Sequence, residues 1–283
     1  LLQRLGRYPA SPGSPVDIPG LEFAGAVEAC GSGTTACTPG MRVMGIAGGG
    51  TYAEYVTVPE THAVPVPAAM SDADAAAVPE AFVTAHDALT RARLPRGAWL
   101  LVHAVGSGVG LAVTQLAAAT GAHVVGTSRT ASKLERARSY GVEYGIDTSR
   151  EALVPAVRAA TGGRGVESVI DLIGGTGFGD TLACLVPRGR LVLVGLTAGA
   201  TAQLNLATVL RRRIGIEGTV LRSRSRDEKA ETVAAFARAV LPLLAAGTVR
   251  PVVHTVLPFE RIRDAHALLE SNATFGKVVV TVP

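Results

Sequence analysis

A glycine-rich turn between an apolar run and a helical segment is the strongest chemical signal in this 283-residue sequence. The run Trp99–His103 has the texture of a strand that is buried on both faces of a parallel sheet. The turn after it carries three glycines, the last at Gly110, and leads directly into a helical pattern. Such a turn lets the backbone amides at a helix N-terminus contact a pyrophosphate. The spacing departs from GxGxxG, because Val105 and Ser107 stand at its first two glycine positions. Tight packing alone would therefore also explain the glycines, and only their place between a strand and a helix favours a dinucleotide site.

The end of the next predicted strand indicates which dinucleotide would bind. An NAD site usually places Asp or Glu about 20 residues after the glycines, where it binds the ribose 2′-hydroxyl. Here the strand ends in Ser128 and Arg129, and Lys133 follows one helical turn later. A hydroxyl, a guanidinium and an ammonium suit a 2′-phosphate, which a carboxylate would repel. The sequence therefore predicts NADP rather than NAD, although both cations could also be ordinary surface residues.

Alternating strand and helix patterns from about residue 83 onward must position these groups. Strands alternating with helices of this length predict βαβ units and a doubly wound parallel sheet. Residues 1–80 consist instead of short β segments broken by turns, and Tyr52–Val58 has the aromatic and β-branched content of a strand. The pattern also predicts one long helix over Asp227–Ala246 and a final strand over Lys277–Val282.

Composition excludes several other classes of protein. Apolar residues make up 48% and charged residues 18%, which argues against disorder, and no apolar run is long enough to predict a membrane span. The net charge is +4, and the basic residues are scattered along the chain. Their densest cluster, Arg211–Arg213, is predicted to lie in a solvated loop. Since aromatic residues are also only 4%, we predict no nucleic-acid partner. Three cysteines without CxxC spacing fit a reducing compartment, and we predict a cytoplasmic protein.

Motifs along essentially the whole chain carry a family resemblance. They are Gln3–Pro9, Pro19–Gly25, Val78–Ala85, Val102–Ala104 with the glycines that follow, Asp171–Gly175, Leu221–Ser225 and Ser271–Lys277. With them the sequence resembles the zinc-independent quinone oxidoreductase branch of the medium-chain dehydrogenase/reductase superfamily, close to the p53-inducible and zeta-crystallin-like NADPH quinone oxidoreductases.

The resemblance implies an α/β fold in which a Rossmann doubly wound parallel sheet is inserted in a GroES-like β domain. The expected divisions are 1–82 for the first part of the β domain, 83–223 for the Rossmann NADP-binding domain and 224–283 for the rest of the β domain. Family members begin with strands that precede Leu1 here, so we expect the chain to be N-terminally truncated, with near-normal NADPH binding and weak quinone reductase activity.

The resemblance also assigns site residues. It implies a catalytic hydrogen-bond donor on the substrate side in Tyr8, and a catalytic role for Ser107. A packed aromatic resting on Pro9 and Pro12 is the other interpretation of Tyr8. The residues implied to bind NADPH are Thr84 near the nicotinamide amide; Ser107, Gly108, Val109 and Gly110 at the pyrophosphate; Ser128, Arg129 and Lys133 at the 2′-phosphate; Thr148 on the adenosine side; Ile173, Gly195 and Leu196 along the nicotinamide slot; and Phe275 and Lys277 closing over the cofactor.

The residues predict no zinc. Leu21 stands where the related zinc alcohol dehydrogenases carry a histidine ligand, and Cys30 with Cys37 cannot replace a site of four closely spaced cysteines. His62 and His103 are more simply packed or surface histidines. A quinone or conjugated enone is already electrophilic, so hydride transfer to it needs proximity and hydrogen-bond donors rather than a Lewis acid. No acid–base dyad stands out in the sequence.

Three functions remain open at this point. The first is an NADPH-dependent quinone or enone reductase acting on a small-molecule substrate. The second is an enoyl reductase of polyketide or fatty-acyl synthesis, which shares the fold, and the third is a non-catalytic NADPH-binding protein, structural or RNA-associated, supported only by Arg211–Arg213. We also expect a homodimer formed by pairing of the edge strand predicted over Ile214–Val220.

Overall fold

The computed structural model describes residues 1–6, 8, 11 and 13–282, and it divides the chain into two compact units. One unit combines Leu1–Thr84 with Leu221–Pro283 and is called the β unit below; the other, Ala85–Val220, is called the Rossmann unit. The sequence-based divisions fell at 82/83 and 223/224.

The β unit starts with a three-stranded antiparallel sheet. Its strands are β1 (Glu22–Ala26), β2 (Arg42–Ile46) and β3 (Ala63–Pro65), in that spatial order. The strand expected over Tyr52–Val58 is wrong, since this segment joins no sheet. The backbone N–H of Tyr52 instead donates to the Pro19 carbonyl at 3.0 Å. High β-propensity makes a strand only where a partner edge is available, and tertiary contacts decide that.

Three helical segments lead from this sheet into the Rossmann unit. Helix α1 (Asp72–Ala76) begins at Ser71, whose hydroxyl accepts from the Asp74 amide at 3.1 Å. A π-helix over Pro79–Val83 follows and continues into α2 (Thr84–Ala92). A π-helical turn is rare and occurs frequently at functional sites.

The Rossmann unit alternates strands and helices throughout. In chain order its elements are β4 (Trp99–Val102), α3 (Gly108–Ala119), β5 (His123–Ser128), α4 (Ala131–Arg138), β6 (Tyr144–Asp147), α5 (Leu153–Ala160), β7 (Val166–Asp171), α6 (Phe178–Ala183), β8 (Leu185–Leu193), α7 (Leu206–Arg212) and β9 (Gly215–Gly218). All six strands pair in parallel in the order β6-β5-β4-β7-β8-β9. The predicted doubly wound parallel sheet is confirmed, and Leu101, Val125, Val169 and Leu191 from its central strands are fully buried.

The prediction that the basic cluster Arg211–Arg213 lies in a loop is wrong, because the cluster ends a helix. Arg211 and Arg212 form the last turn of α7, and Arg213 ends the helix in a left-handed conformation with φ of 55°. Cations are favourable at a helix C-terminus because they complement the helix dipole. This placement explains the cluster without any polyanion.

The chain then returns to the β unit. Its elements are α8 (Arg226–Ala239), α9 (Leu241–Ala245), β10 (Val253–Pro258), α10 (Ile262–Glu270) and β11 (Lys277–Thr281), with β10 and β11 paired in parallel. The single helix expected over 227–246 is divided at Val240, because Pro242 lacks the N–H that would continue the hydrogen-bond ladder. No helix within the described residues is long and apolar enough to cross a membrane.

An ion pair joins the two ends of the chain within the β unit. The Lys277 ammonium at the start of β11 donates to the Glu22 carboxylate at the start of β1. Gly276 precedes it with φ of 87°, and a side chain at that position would overlap the Val252 carbonyl. The Lys277 amide donates to the same carbonyl at 2.8 Å, so the turn into β11 requires glycine.

Candidate functional site

Most of the predicted site residues of the Rossmann unit lie on loops at one edge of its sheet. Parallel strands end at the same edge, and ligands of such sheets bind where the strand order reverses. In this sheet the reversal lies between β4 and β7. The turn after β4 holds Ser107–Gly110, the loops after β5 and β6 hold Ser128, Arg129 and Thr148, and those after β7 and β8 hold Ile173, Gly195 and Leu196.

The turn after β4 is held tightly against the sheet. Ala104 adopts a positive φ of 49°, and the Val105 amide donates to the Thr127 carbonyl at 3.0 Å. Ser107 caps α3, since its hydroxyl oxygen accepts from the Gly110 amide at 3.0 Å. A Cβ on Gly110 would lie 2.6 Å from the Ala104 carbonyl oxygen. The glycine is therefore needed for close packing of helix on turn, as at the third position of the dinucleotide fingerprint.

The first turn of α3 fits a diphosphate. Gly108 and Val109 lie in the first turn of α3, where backbone amides have no intrahelical acceptor. Their N–H groups can therefore donate to a ligand. The first turn contains no acidic residue, and the twelve-residue helix directs the positive end of its dipole toward this turn. The Ser107 hydroxyl uses its oxygen for the cap and keeps its proton for donation.

A positive corner lies at the end of β5. Arg129 is exposed, and partial burial together with the charge of Arg129 lowers the pKa of Lys133, so the two cations lie near each other. The Ser128 hydroxyl accepts from the Thr130 amide at 3.1 Å. The amide of Thr148 donates to the Ser128 carbonyl at 3.0 Å, which brings the predicted adenosine-side residue to the same corner. Cations and hydroxyls so arranged suit a phosphate monoester.

Backbone groups shape the loops after β7 and β8. The Asp171 carboxylate accepts from the Ile173 amide at 2.8 Å, and the Ile173 carbonyl accepts from the Ala198 amide at 2.7 Å. A Cβ on Gly195 would lie 2.5 Å from the Leu172 carbonyl oxygen, so close backbone packing requires glycine at this position too. Leu196 is 51% exposed, and its contact with a nicotinamide stays a prediction.

A buried histidine network lies beneath this edge, whereas the sequence had predicted His103 only as a packed or surface histidine. The ring nitrogens of His103 lie 2.9 Å from the Thr127 hydroxyl and 3.0 Å from the Thr181 hydroxyl. Burial lowers the pKa of His103 more than the nearby Asp171 raises it, so the ring is neutral and supplies one donor and one acceptor. The second carboxylate oxygen of Asp171 has no hydrogen-bond partner within the described part of the chain.

The remaining predicted site residues belong to the β unit. The Arg222 guanidinium carbon lies 4.0 Å from the centre of the Tyr8 ring. Burial and the Glu80 carboxyl raise the pKa of Tyr8, while a hydrogen bond from Arg222 opposes them, so Tyr8 is a neutral phenol. The expected packing of Tyr8 on Pro9 and Pro12 lies outside the described residues, as does Arg7 of the first family motif.

Three further β-unit residues were predicted to contact the cofactor. Thr84 begins α2 and is partly buried, Phe275 is fully buried, and Lys277 is held by its ion pair with Glu22. Contact of any of them with a nicotinamide cofactor stays a prediction.

A pair of carboxyl groups in the β unit was not identified from the sequence. Glu22 accepts from the backbone N–H of Glu80 at 3.0 Å through one oxygen and from Lys277 through the other. Burial and the charge of Glu22 raise the pKa of Glu80 to about 7, against the opposing effect of Lys277 and Lys229. One signal was present in the sequence, because Glu80 is the only charged residue in the apolar stretch 78–85. A charged residue alone in an apolar stretch is surrounded by apolar side chains unless its own side chain reaches solvent.

The described residues include no group of three His, Cys, Asp or Glu side chains that could hold a metal ion. The Nε2 atom of His62 lies 3.1 Å from the Arg226 carbonyl oxygen. The Cys30 thiol donates to the Cys37 carbonyl at 3.3 Å, and both cysteines are free thiols.

Two family models match the chain. The alcohol dehydrogenase GroES-like domain matches residues 2–68, and the zinc-binding dehydrogenase family matches residues 108–238. The human synaptic vesicle membrane protein VAT-1 homolog is 30% identical over 295 residues, a match that covers 99% of this chain and 75% of that protein.

Solved structures match over nearly the whole chain. Escherichia coli quinone oxidoreductase, solved in complex with NADPH, is 30% identical with a TM-score of 0.84, and the match covers 99% of this chain and 86% of that one. A NAD-dependent alcohol dehydrogenase is 31% identical with a TM-score of 0.85, covering 97% of this chain and 85% of that one.

The raised pKa of Glu80 predicts a pH-dependent effect of Glu80→Gln on stability. The folded protein holds this proton up to about pH 7, whereas the ordinary value is 4.5. The stabilisation by the bound proton is thus fully present below the unfolded pKa and is lost as the pH rises through the folded pKa. Glutamine does not ionise, so the free energy of unfolding of the variant relative to the wild type should rise by about 1–3 kcal/mol across this window.

Urea unfolding of both proteins at a series of pH values measures this difference. Glu54→Gln, at an exposed position of the same unit, is the matched control and should give a constant difference. A constant difference for Glu80→Gln as well would contradict the prediction.

Proposed function

This chain belongs to the quinone oxidoreductase family of the medium-chain dehydrogenases/reductases, and on that premise we propose that it is an NADPH-dependent reductase of quinones or conjugated enones. The observation that carries the proposal is the edge of the Rossmann sheet, where a diphosphate-binding helix terminus and a positive corner lie on adjacent loops. NADPH would supply the hydride, and a small electrophilic carbonyl compound would accept it.

The charge at the end of β5 supports NADPH over NADH. The relatives' names include both a complex with NADPH and a NAD-dependent enzyme, so the family alone does not decide between them. In this chain Ser128, Arg129 and Lys133 provide a hydroxyl and two cations, and the end of β5 carries no carboxylate. The amides of Gly108 and Val109 would bind the diphosphate common to both cofactors.

The double variant Arg129→Ala with Lys133→Ala should lose the preference for NADPH. Each charge-assisted bond to a phosphate contributes about 1.5–3 kcal/mol, so NADPH should bind at least about tenfold more weakly while NADH binding stays unchanged. Isothermal titration of both cofactors measures this. Arg138→Ala, at the far end of the same helix, is the control. Equal affinities for NADH and NADPH in the unmutated protein would overturn the assignment.

We propose that the reaction proceeds without zinc. Leu21 cannot ligate a metal, and the described residues bring no suitable donor cluster together. A quinone or enone carbonyl is reactive toward hydride once it is held beside the nicotinamide, and its developing oxyanion needs hydrogen-bond donors. The neutral phenol of Tyr8 and the hydroxyl of Ser107 are the proposed donors.

Comparison of acceptors tests the activity. NADPH oxidation should be faster with a quinone or a conjugated enone than with an enoyl thioester, and it should be absent without an acceptor. Chelator treatment should leave the rate and the melting temperature unchanged, and elemental analysis should find no stoichiometric zinc. Preference for the thioester would favour the enoyl reductase of polyketide or fatty-acyl synthesis, and binding of NADPH without turnover would favour the non-catalytic alternative.

We further propose a cytoplasmic homodimer. The three cysteines are free thiols, which suits a reducing compartment. Strand β9 lies at the edge of the sheet, and Ile216 within it is 42% exposed. Its neighbour Glu217 is neutralised by Arg91 at 2.5 Å, so a second copy could pair along this edge without an unbalanced charge.

Light scattering at micromolar concentration should give the mass of a dimer for the wild type and of a monomer for Ile216→Lys. The exposed Leu269→Lys substitution, in the β unit, should leave the dimer intact. A monomeric wild type would overturn the proposed pairing.

A further inference from the structure

One buried carboxylate holds the two loops that follow β7 and β8 in the Rossmann unit. Asp171 ends β7 and is fully buried. One oxygen of its carboxylate accepts from the amides of Ile173 at 2.8 Å and Gly174 at 3.0 Å, in the loop after β7. Its main-chain carbonyl accepts from the amides of Val194 at 2.8 Å and Gly195 at 3.3 Å, where the loop after β8 begins. Asp171 therefore fixes one loop through its side chain and the other through its backbone.

The two loops are also joined directly to each other. The Ala198 amide donates to the Ile173 carbonyl at 2.7 Å, and Gly174 forms a β-bridge with Gly199. A Cβ on Gly174 would lie 2.9 Å from the Gly199 carbonyl oxygen, and one on Gly175 would lie 2.6 Å from the Ala198 carbonyl oxygen. The loops are therefore in backbone contact, and a displacement of one must displace the other.

The arrangement around Asp171 carries two local costs. Its second carboxylate oxygen is buried and has no hydrogen-bond partner among the described residues, and an unpaired buried acceptor is destabilising. Gly174 has φ of 60° and ψ of −144°, a backbone conformation that other residues rarely adopt. Unsatisfied buried groups and restricted backbone occur preferentially at functional sites. Their coincidence here indicates that the shape of these loops serves a ligand.

The order of the strands indicates which part of a dinucleotide these loops would face. The positive corner follows β5 and the diphosphate-binding turn follows β4, whereas β7 and β8 lie on the other side of β4. A dinucleotide binds across such a sheet with its two halves on opposite sides of the point where the strand order reverses. With the 2′-phosphate of the adenosine half at the end of β5, the nicotinamide half would extend over the loops after β7 and β8.

We propose that Asp171 is a positioning residue for the nicotinamide half of NADPH. The inference rests on the proposed function, which supplies NADPH as the ligand. The carboxylate and the carbonyl of Asp171 keep the loops after β7 and β8 in the arrangement that accepts this half. The adenosine half depends on the loops after β5 and β6, to which Asp171 makes no hydrogen bond within the described residues. Asp171 is fully buried and acts through the loops rather than by contact with the cofactor.

Two ligands that share the adenosine half test this on the full chain. Isothermal titration compares NADPH with adenosine 2′,5′-bisphosphate, which carries the 2′-phosphate but no nicotinamide. Asp171→Ala removes the acceptor of the Ile173 and Gly174 amides. The Kd for NADPH should rise by about tenfold or more, whereas the Kd for the bisphosphate should change by less than about twofold. A general loss of structure in the Rossmann unit would weaken both ligands.

Hydrogen exchange gives a second readout that needs no ligand. The amides of Ile173 and Gly174 should be protected in the wild type and should exchange faster in Asp171→Ala, because their acceptor is gone. The amide of Gly110, which donates to the Ser107 hydroxyl at 3.0 Å in the turn after β4, should keep its protection.

Matched variants separate the two hydrogen bonds from other effects of the substitution. Asp171→Asn should bind NADPH within about threefold of the wild type, because an amide oxygen can accept the same two bonds. Gly175→Ala keeps Asp171 but forces the loops apart, so it should weaken NADPH selectively even if Asp171→Ala does not fold. Asp180→Ala, at an exposed position of α6, should bind both ligands as the wild type does.

The outcomes distinguish this inference from the proposed function. Equal weakening of NADPH and the bisphosphate by Asp171→Ala and by Gly175→Ala would overturn the inference, as would an unchanged affinity for NADPH in both variants. An Asp171→Asn variant as weak as Asp171→Ala would overturn it too, because the charge rather than the two bonds would then matter. A wild type that binds both ligands but reduces no quinone or enone overturns the proposed reaction and leaves this inference standing. A wild type that binds neither ligand overturns both.

Discussion

All six strands of the Rossmann unit run in the same direction, and this constraint decides where the chemistry of that unit can lie. Parallel strands end at a common edge, so loops that are distant in sequence are brought together there. Ser107 after β4, Arg129 after β5 and Gly195 after β8 meet at this edge although about ninety residues separate the first from the last. Gly110 and Gly195 allow close backbone packing at this edge, since a Cβ would lie 2.6 Å and 2.5 Å, respectively, from a carbonyl oxygen of the protein.

The β unit is organised by charge as much as by its sheets. Its two sheets come from opposite ends of the chain, and the ion pair of Glu22 with Lys277 joins β1 to β11 across 255 residues. Three-quarters of the Lys277 side chain is buried, and breaking such a pair would leave an uncompensated charge in a poorly solvated place. Both members of the pair act on the pKa of Glu80, which burial raises most: Glu22 raises it further and Lys277 lowers it.

The ionisation of two titratable groups, His103 and Glu80, is controlled in different ways. His103 is held neutral between the hydroxyls of Thr127 and Thr181. Its hydrogen bonds join the C-terminal ends of β4 and β5 to α6. The pKa of Glu80 is instead set by opposing effects, since burial and Glu22 raise it whereas Lys277 and Lys229 lower it. A fully hydrogen-bonded group gives rigidity, whereas a group balanced near neutral pH can change its charge at small cost.

The sequence by itself determined the alternation of strands and helices, the glycine turn and the positive corner at Arg129 and Lys133. These features are local, because propensity, turn chemistry and the residues at a strand end act over a few neighbours. Only the tertiary structure decided that Tyr52–Val58 joins no sheet, that Arg211–Arg213 ends a helix, and that Glu80 lies against Glu22. A strand needs a partner edge, and a pKa depends on burial and on charges brought from distant parts of the chain, so neither can be read from neighbouring residues.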